Sequence, residues 1–253
     1  MEDKDKDNLN LKIVVNNTLA NSEYLEFENS IQSNINNIYS ISKGSNNNLL
    51  IEFSNSNYAI FKPKLGERPL SDFPIGSLYK REFASYLFSI LLGWPNIPPT
   101  TIVEIDKIGL GSLQKIISNK NVNYFDISKD NQEEFLRFAV FDYLTNNADR
   151  KAGHCILDES NKIWSIDHGV TFHETFKLRT IMFDIWENNI SEKLINEVKI
   201  AKMKLPQQKN KKLFSKLISE IEINATISRI NEFLKSKYLP LINQYENIPW
   251  PLI

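Results

Sequence analysis

Apolar residues at helical spacing mark one element of this chain clearly. Tyr79, Phe83, Tyr86, Leu87, Ile90 and Leu91 fall at i, i+4, i+7, i+8, i+11 and i+12, a single helical face. Ser77 before them offers an N-cap and Gly93 after them a stop, so a helix is predicted between the two. Glu82 lies at the flank of that face. Upstream, two apolar runs, Leu49–Phe53 and Tyr58–Lys62, enclose Ser54-Asn55-Ser56-Asn57 and predict a β-hairpin, with Pro63 ending its second strand. After the break at Ile97-Pro98-Pro99, two further strands are predicted over Thr100–Ile105 and Ser112–Ile117.

The second half changes period. From Gln132 to about Asn146 the chain is apolar nearly all round, which predicts a buried central helix. A short hairpin follows, Cys155–Leu157 and Ile163–Ile166 around a polar turn. Ile181–Glu187, Glu192–Met203 and Leu213–Lys235 read as helices. The expected architecture is α+β and bilobal: a tail over residues 1–10, expected to be disordered, then a single domain over 11–253. Its strand-rich N-lobe is expected over about 11–117 and its helical C-lobe over about 118–253.

Composition narrows the class of function. At 253 residues the chain is long enough to bury a substantial core without staples. A formal net charge of -1, with both signs mixed along the chain, argues against duplex nucleic acid as a partner. Cys155 is the only cysteine, so neither an intramolecular disulfide nor a cysteine zinc site can form. No apolar run approaches a membrane span and Met1–Asn10 lacks a signal-peptide core, so the expectation is a cytoplasmic protein without integral membrane association.

Candidate chemistry appears in an order that phosphoryl transfer needs. A flexible polar turn, Gly44–Asn48, precedes the hairpin and could cover phosphates with its backbone N–H groups. Lys62 ends the second strand and could neutralise phosphate charge, and Glu82 could hold it extended, although Glu67 or Asp72 could serve instead. Asn147-Ala148-Asp149-Arg150 places a carboxylate directly after the buried helix. Ile166-Asp167-His168-Gly169 places a second carboxylate after the hairpin, and Gly169 would allow a sharp turn. One carboxylate would orient or deprotonate an attacking hydroxyl and the other would hold a divalent metal. His168 and His173 have no evident partners in the sequence and read as structural or substrate-side residues.

Phe61-Lys62-Pro63-Lys64, Gly109–Ile117, Asn147-Ala148-Asp149-Arg150 and Ile166-Asp167-His168-Gly169 together resemble the phosphatidylinositol 3-/4-kinase-like family. The small bacterial proteins related to type II phosphatidylinositol 4-kinases look nearest, with HipA-type kinases more distant. Gly66–Trp94 and Pro249-Trp250-Pro251-Leu252 look like that bacterial branch. The resemblance implies an ATP-dependent kinase using Mg²⁺ or Mn²⁺ and a hydroxyl acceptor on a protein, an inositol lipid or a small molecule. Lipid is disfavoured by the lack of an anchoring or lipidation segment. It makes Asp149 the catalytic aspartate, Asp167 the metal aspartate and Lys62 the nucleotide lysine. Ser45 would fall in the phosphate loop, and Gln114 to Ile117 would form the hinge beside adenine. Where the family carries a metal-binding Asn, five residues after the catalytic Asp, this chain has His154, which is expected to take that place. The substitution also motivates a second reading, a nucleotide-binding pseudokinase; a third is AMP transfer on the same fold.

Overall fold

Six strands from the first half pair into one antiparallel sheet. The structure, a computed structural model, describes residues 9–41 and 46–253. In chain order the elements are β1 (Leu11–Ile13), α1 (Ser22–Ser30), β2 (Ile35–Ile41), β3 (Asn48–Phe53), β4 (Tyr58–Pro63), α2 (Leu78–Leu92), β5 (Thr100–Ile105) and β6 (Gly109–Lys115). The strand order is β1-β5-β6-β4-β3-β2. Contacts divide the chain into two units: Met1–Tyr79 with Pro99–Ile116, and Lys80–Pro98 with Ile117–Ile253. The division falls within α2, so all but the first two residues of that helix belong to the second unit.

In the first unit, period-two alternation decides which side chains are buried. Ala59, Phe61 and Pro63 of β4 are buried, and Tyr58, Ile60 and Lys62 alternate with them on the other face. Phe27 and Ile31 from α1 and the turn after it join Ile51, Phe53, Phe61, Val103, Ile105 and Leu113 in one core cluster. Each such side chain contributes about 1.5–3 kcal/mol on burial. Gly111 allows β6 to approach β4 closely: a Cβ there would sit 2.5 Å from the Lys62 carbonyl oxygen and 2.6 Å from Phe61 Cζ. A side chain at 111 would therefore push apart the pairing of Lys62 with Ser112.

Two elements here carry no periodic signal. Helix α1 buries only Tyr24 and Phe27, and Asn21 caps it through the Tyr24 N–H. Strand β2 is a polar sheet edge, bonded on one side only to β3 and interrupted by a register shift between Ile35 and Asn37. Asn10, within the expected tail, pairs with Asp106 through both its backbone N–H and its side-chain amide. Strand β6 begins at Gly109 and ends at Lys115, earlier at both ends than the sequence suggests.

The second unit contains α3 (Tyr124–Ile127), α4 (Gln132–Thr145), the hairpin β7 (Cys155–Leu157) and β8 (Ile163–Ser165), α5 (Phe183–Trp186), α6 (Glu192–Lys204), α7 (Gln208–Phe214) and α8 (Glu220–Ser236). Helix α4 is buried continuously from Phe138 to Thr145, as its all-round apolar pattern requires. The single long helix expected from Leu213 to Lys235 is instead two. Ser219 and Glu222 form a capping box that starts α8, and the other Glu222 oxygen accepts from Arg81 of α2. At the start of α2, Ser77 donates its hydroxyl to Pro74, and the Leu78 and Tyr79 amides donate to the Glu67 carboxylate at 3.1 and 2.8 Å. Gly93, at φ +89, ends the helix as expected.

Candidate active site

Helix α4 ends at Asn146, whose left-handed backbone (φ 54) turns the chain into the Asn147–His154 loop. The Asn146 side chain donates to the His173 and Thr175 carbonyls and accepts from the Lys177 N–H. Asn147, fully buried, donates to Asp142 Oδ1 at 2.9 Å and accepts from the Asp149 N–H at 3.0 Å. A loop so bonded on both sides has little freedom to move the carboxylate that follows.

Arg150 is the post around which this region is built. Its side chain and that of Asp142 are both 0% exposed, and they pair bidentately at 2.7 and 2.8 Å. The same guanidinium reaches the His154 and Ile166 carbonyls, each at 3.3 Å, and His168 Nε2 at 3.0 Å. An arginine can only donate, so His168 Nε2 accepts here, and it also lies 2.9 Å from the Ser165 hydroxyl. Burial works against the Arg150 charge, but the Asp142 carboxylate outweighs it and holds the guanidinium firmly protonated. One buried cation therefore ties α4, the loop and the residues on both sides of Asp167 together.

The predicted residues of this unit come together around that post. Asp149 Oδ2 lies 2.9 Å from Lys151 Nζ. Burial raises the Asp149 carboxyl above its ordinary range, opposed by the Lys151 hydrogen bond and the nearby His154. His154 Nε2 lies 3.3 Å from Asp167 Oδ2. Burial lowers the His154 pKa, which keeps the ring neutral at pH 7 against the pull of Asp167. Its Nδ1 accepts from the Lys151 N–H at 3.4 Å, so the neutral ring carries its proton on Nε2, facing the Asp167 carboxylate. Asp167 adopts φ +61, and the chain then bends at Gly169 and Val170. Glu82 of α2 is 3% exposed, and its Oε2 accepts from the His168 N–H at 3.1 Å.

The remaining predicted residues are distributed as follows. Lys62 and Gln114 belong to the first unit, where the Gln114 amide donates to the Thr100 hydroxyl at 2.8 Å. Ile117 begins the second segment of the other unit. Ser45 and Gly44 lie outside the described residues. Lys151 was missed by sequence reasoning. Its signal was the two-residue spacing from Asp149, which in extended backbone (Lys151 φ -100, ψ 163) returns side chains to the same side. Among the described residues no group of three or more His, Cys, Asp or Glu side chains converges on one point. Asp167 offers one carboxylate, and a six-coordinate Mg²⁺ commonly takes one or two carboxylates from protein and the rest from phosphate and water.

No family model matches the chain. The Mycobacterium tuberculosis protein Rv2133c is 30% identical over 230 residues, spanning 77% of this chain and 82% of that protein. The chain belongs to the Rv2133c family. Among solved structures, the Helicobacter pylori proinflammatory kinase CtkA overlays with a TM-score of 0.52 at 13% identity, covering 81% of this chain and 92% of that one. The Golgi casein kinase with Mn/ADP bound gives 0.47 at 13% identity, over 87% and 77% of the two chains. The CtkA overlay shows that this member of the Rv2133c family has a bilobal, kinase-like fold, as the sequence predicts. Among the described residues no helix is long and apolar enough to cross a membrane.

Proposed function

We propose that this Rv2133c-family chain is an ATP-dependent kinase of the phosphatidylinositol 3-/4-kinase-like type. In this reading the acceptor hydroxyl oxygen bonds to the γ-phosphorus, the bond from phosphorus to the β–γ bridging oxygen breaks, ADP leaves, and Asp149 takes the hydroxyl proton. One observation carries the reading: on a kinase-like fold, Asp149–Lys151 and His154–Asp167 are held together by one buried arginine. The raised proton affinity of Asp149 suits a base, which works best when its pKa approaches the working pH. Lys62 would neutralise nucleotide phosphate, Ser45 would lie in the phosphate loop, and Gln114 and Ile117 would flank adenine.

A divalent ion bound with the nucleotide would offset phosphate charge, with Asp167 as its carboxylate ligand. His154 has two roles open to it. In the tautomer set by Lys151 it donates to Asp167 and orients that carboxylate. To ligate through Nε2 it would release that proton to Nδ1 and give up the 3.4 Å contact with Lys151, the longest in the cluster. Glu82 would act from behind, fixing the amide that follows Asp167. The buried thiol of Cys155, pushed up to about 12 by burial, stays protonated and inert.

Incubation with γ-³²P-ATP and, separately, α-³²P-ATP tests the reading, with one arm offering protein hydroxyls and another phosphatidylinositol vesicles. Label from γ alone is expected. Label from α would replace the proposal with AMP transfer, and label from neither would make the chain a nucleotide-binding pseudokinase.

A further inference from the structure

Pro249-Trp250-Pro251-Leu252 lies more than 80 positions after Asp167 in the sequence and supplies no carboxylate or cation of its own. The structure connects it to that site by two routes. Directly, the Ala152 N–H, inside the loop between Asp149 and His154, donates to the Leu252 carbonyl at 2.9 Å. Indirectly, the loop pairs with Arg179: the Arg150 N–H donates to the Arg179 carbonyl and the Arg179 N–H to the Asn147 carbonyl, each at 3.0 Å. The residues flanking Arg179 are in turn held by Asn247. The Thr180 N–H donates to the Asn247 carbonyl at 2.7 Å, and Asn247 Nδ2 donates to the Leu178 carbonyl at 2.7 Å. Asn247 Oδ1 accepts from the Asn243 N–H at 2.8 Å, which closes a turn and fixes the side chain.

We propose that Asn247–Ile253 is a positioning strap for the Asn147–His154 loop, and that Asn247 is the positioning residue that fastens it. The functional part of this proposal rests on the kinase reading. The strap holds the stretch containing Asp149, Arg150 and Lys151 directly at its far end, through Ala152, and indirectly at its start, through the Leu178–Thr180 segment that pairs with Asn147 and Arg150. Its hydrogen bond to the loop itself runs from backbone to backbone, so it holds position without contributing chemistry. Pro249 is buried and Leu252 half-buried, while Trp250 is 85% exposed and Pro251 is exposed, so the segment is seated through its backbone and those two side chains. A near-attack arrangement loses rate when the reacting group is displaced by as little as an ångström. The strap therefore acts on turnover and not on nucleotide affinity.

Two variants in the full chain test this. Asn247→Ala removes the Leu178 and Asn243 contacts. Ala152→Pro removes the N–H that meets Leu252 and sets the ring Cδ against that carbonyl, so it releases the segment from the loop. It suits its place, because position 152 opens a 3₁₀ turn and Lys151 before it is extended, as a residue preceding proline must be. In both, kcat is expected to fall about tenfold while KM for ATP stays within about twofold. Amide hydrogen exchange over 147–154 should speed up by about tenfold, with the urea midpoint shifting by less than about 0.5 M. Unchanged exchange in both variants would overturn the strap, as would losses that simply follow the urea midpoint. If the parent protein transfers no phosphate, the kinase reading fails while the exchange measurement still decides the strap.

Discussion

Removing the charge of Asp142 should damage the protein far more than removing the whole Asp142–Arg150 pair. Both side chains are 0% exposed, so neither charge has water to fall back on. In Asp142→Asn the guanidinium stays buried without a counter-charge. The new amide also faces three donors, Arg150 Nη2 at 2.8 Å and Asn147 Nδ2 at 2.9 Å on one oxygen and Arg150 Nε at 2.7 Å on the other, so its NH₂ must meet at least one of them donor against donor. Breaking one side of a buried pair costs about 3–5 kcal/mol, a large part of a total stability of about 5–15 kcal/mol. With a urea m-value of about 3 kcal/mol/M, the midpoint should fall by about 1–1.7 M. Arg150→Lys keeps the charge but cannot reproduce the fork or reach the His154 and Ile166 carbonyls, and should lose about half as much. The double variant Asp142→Leu/Arg150→Met removes both desolvation penalties and, set against Asp142→Leu and Arg150→Met alone, should recover most of the loss, with a coupling energy of about 2–3 kcal/mol. Urea unfolding followed by tryptophan fluorescence reads all six proteins. A double variant as unstable as the sum of the singles, or an Asp142→Asn midpoint within about 0.3 M of the parent, would refute the assignment of Arg150 as the central post.

Asp149→Asn should abolish turnover and leave Mg²⁺-ATP binding within about twofold, whereas Asp167→Asn should lose both by at least about tenfold; calorimetric titration separates them. Because burial raises the Asp149 pKa, its ionised form opposes folding, so Asp149→Asn should match or exceed the parent in thermal midpoint at pH 7. For His154 the sign is opposite. Its folded pKa is lowered by burial, so below about pH 6.5 the unfolded chain takes up the proton more readily and stability drops with pH. Urea midpoints at pH 7.5, 6.5 and 5.5 should fall less in His154→Asn than in the parent; equal slopes would mean that His154 is not the titrating group. Glu82→Gln weakens a charge-assisted bond to the His168 amide and should slow turnover several-fold with a stability change below about 1.5 kcal/mol, measured by paired kinetics and urea unfolding.

Much of the fold was legible because its signals are local. Turn chemistry at Ser54–Asn57, helical spacing from Tyr79 to Leu91 and the all-round apolar run of α4 each follow from a few neighbouring residues, and each appears as the sequence implies. Asp149 and Asp167 could be singled out as candidates because each closely follows a recognisable buried element, α4 and β8. Elements without a periodic face escaped. Helix α1 buries two residues, β2 is a polar edge, and the break between α7 and α8 depends on a capping box that looks like ordinary helix sequence.

Partners distant in sequence were beyond reach for a stricter reason. A sequence states which groups can donate or accept, but not which of many equivalent groups is near. Nothing local distinguishes Arg150 as the partner of Asp142 or Asn247 as the partner of Leu178. Nor does it show that Glu82 accepts from an amide 86 residues away. The pKa directions at Asp149 and His154 belong with these, since burial is the leading cause of both. Burial is made by the whole surrounding structure, so it was decided only when the chain closed around those residues.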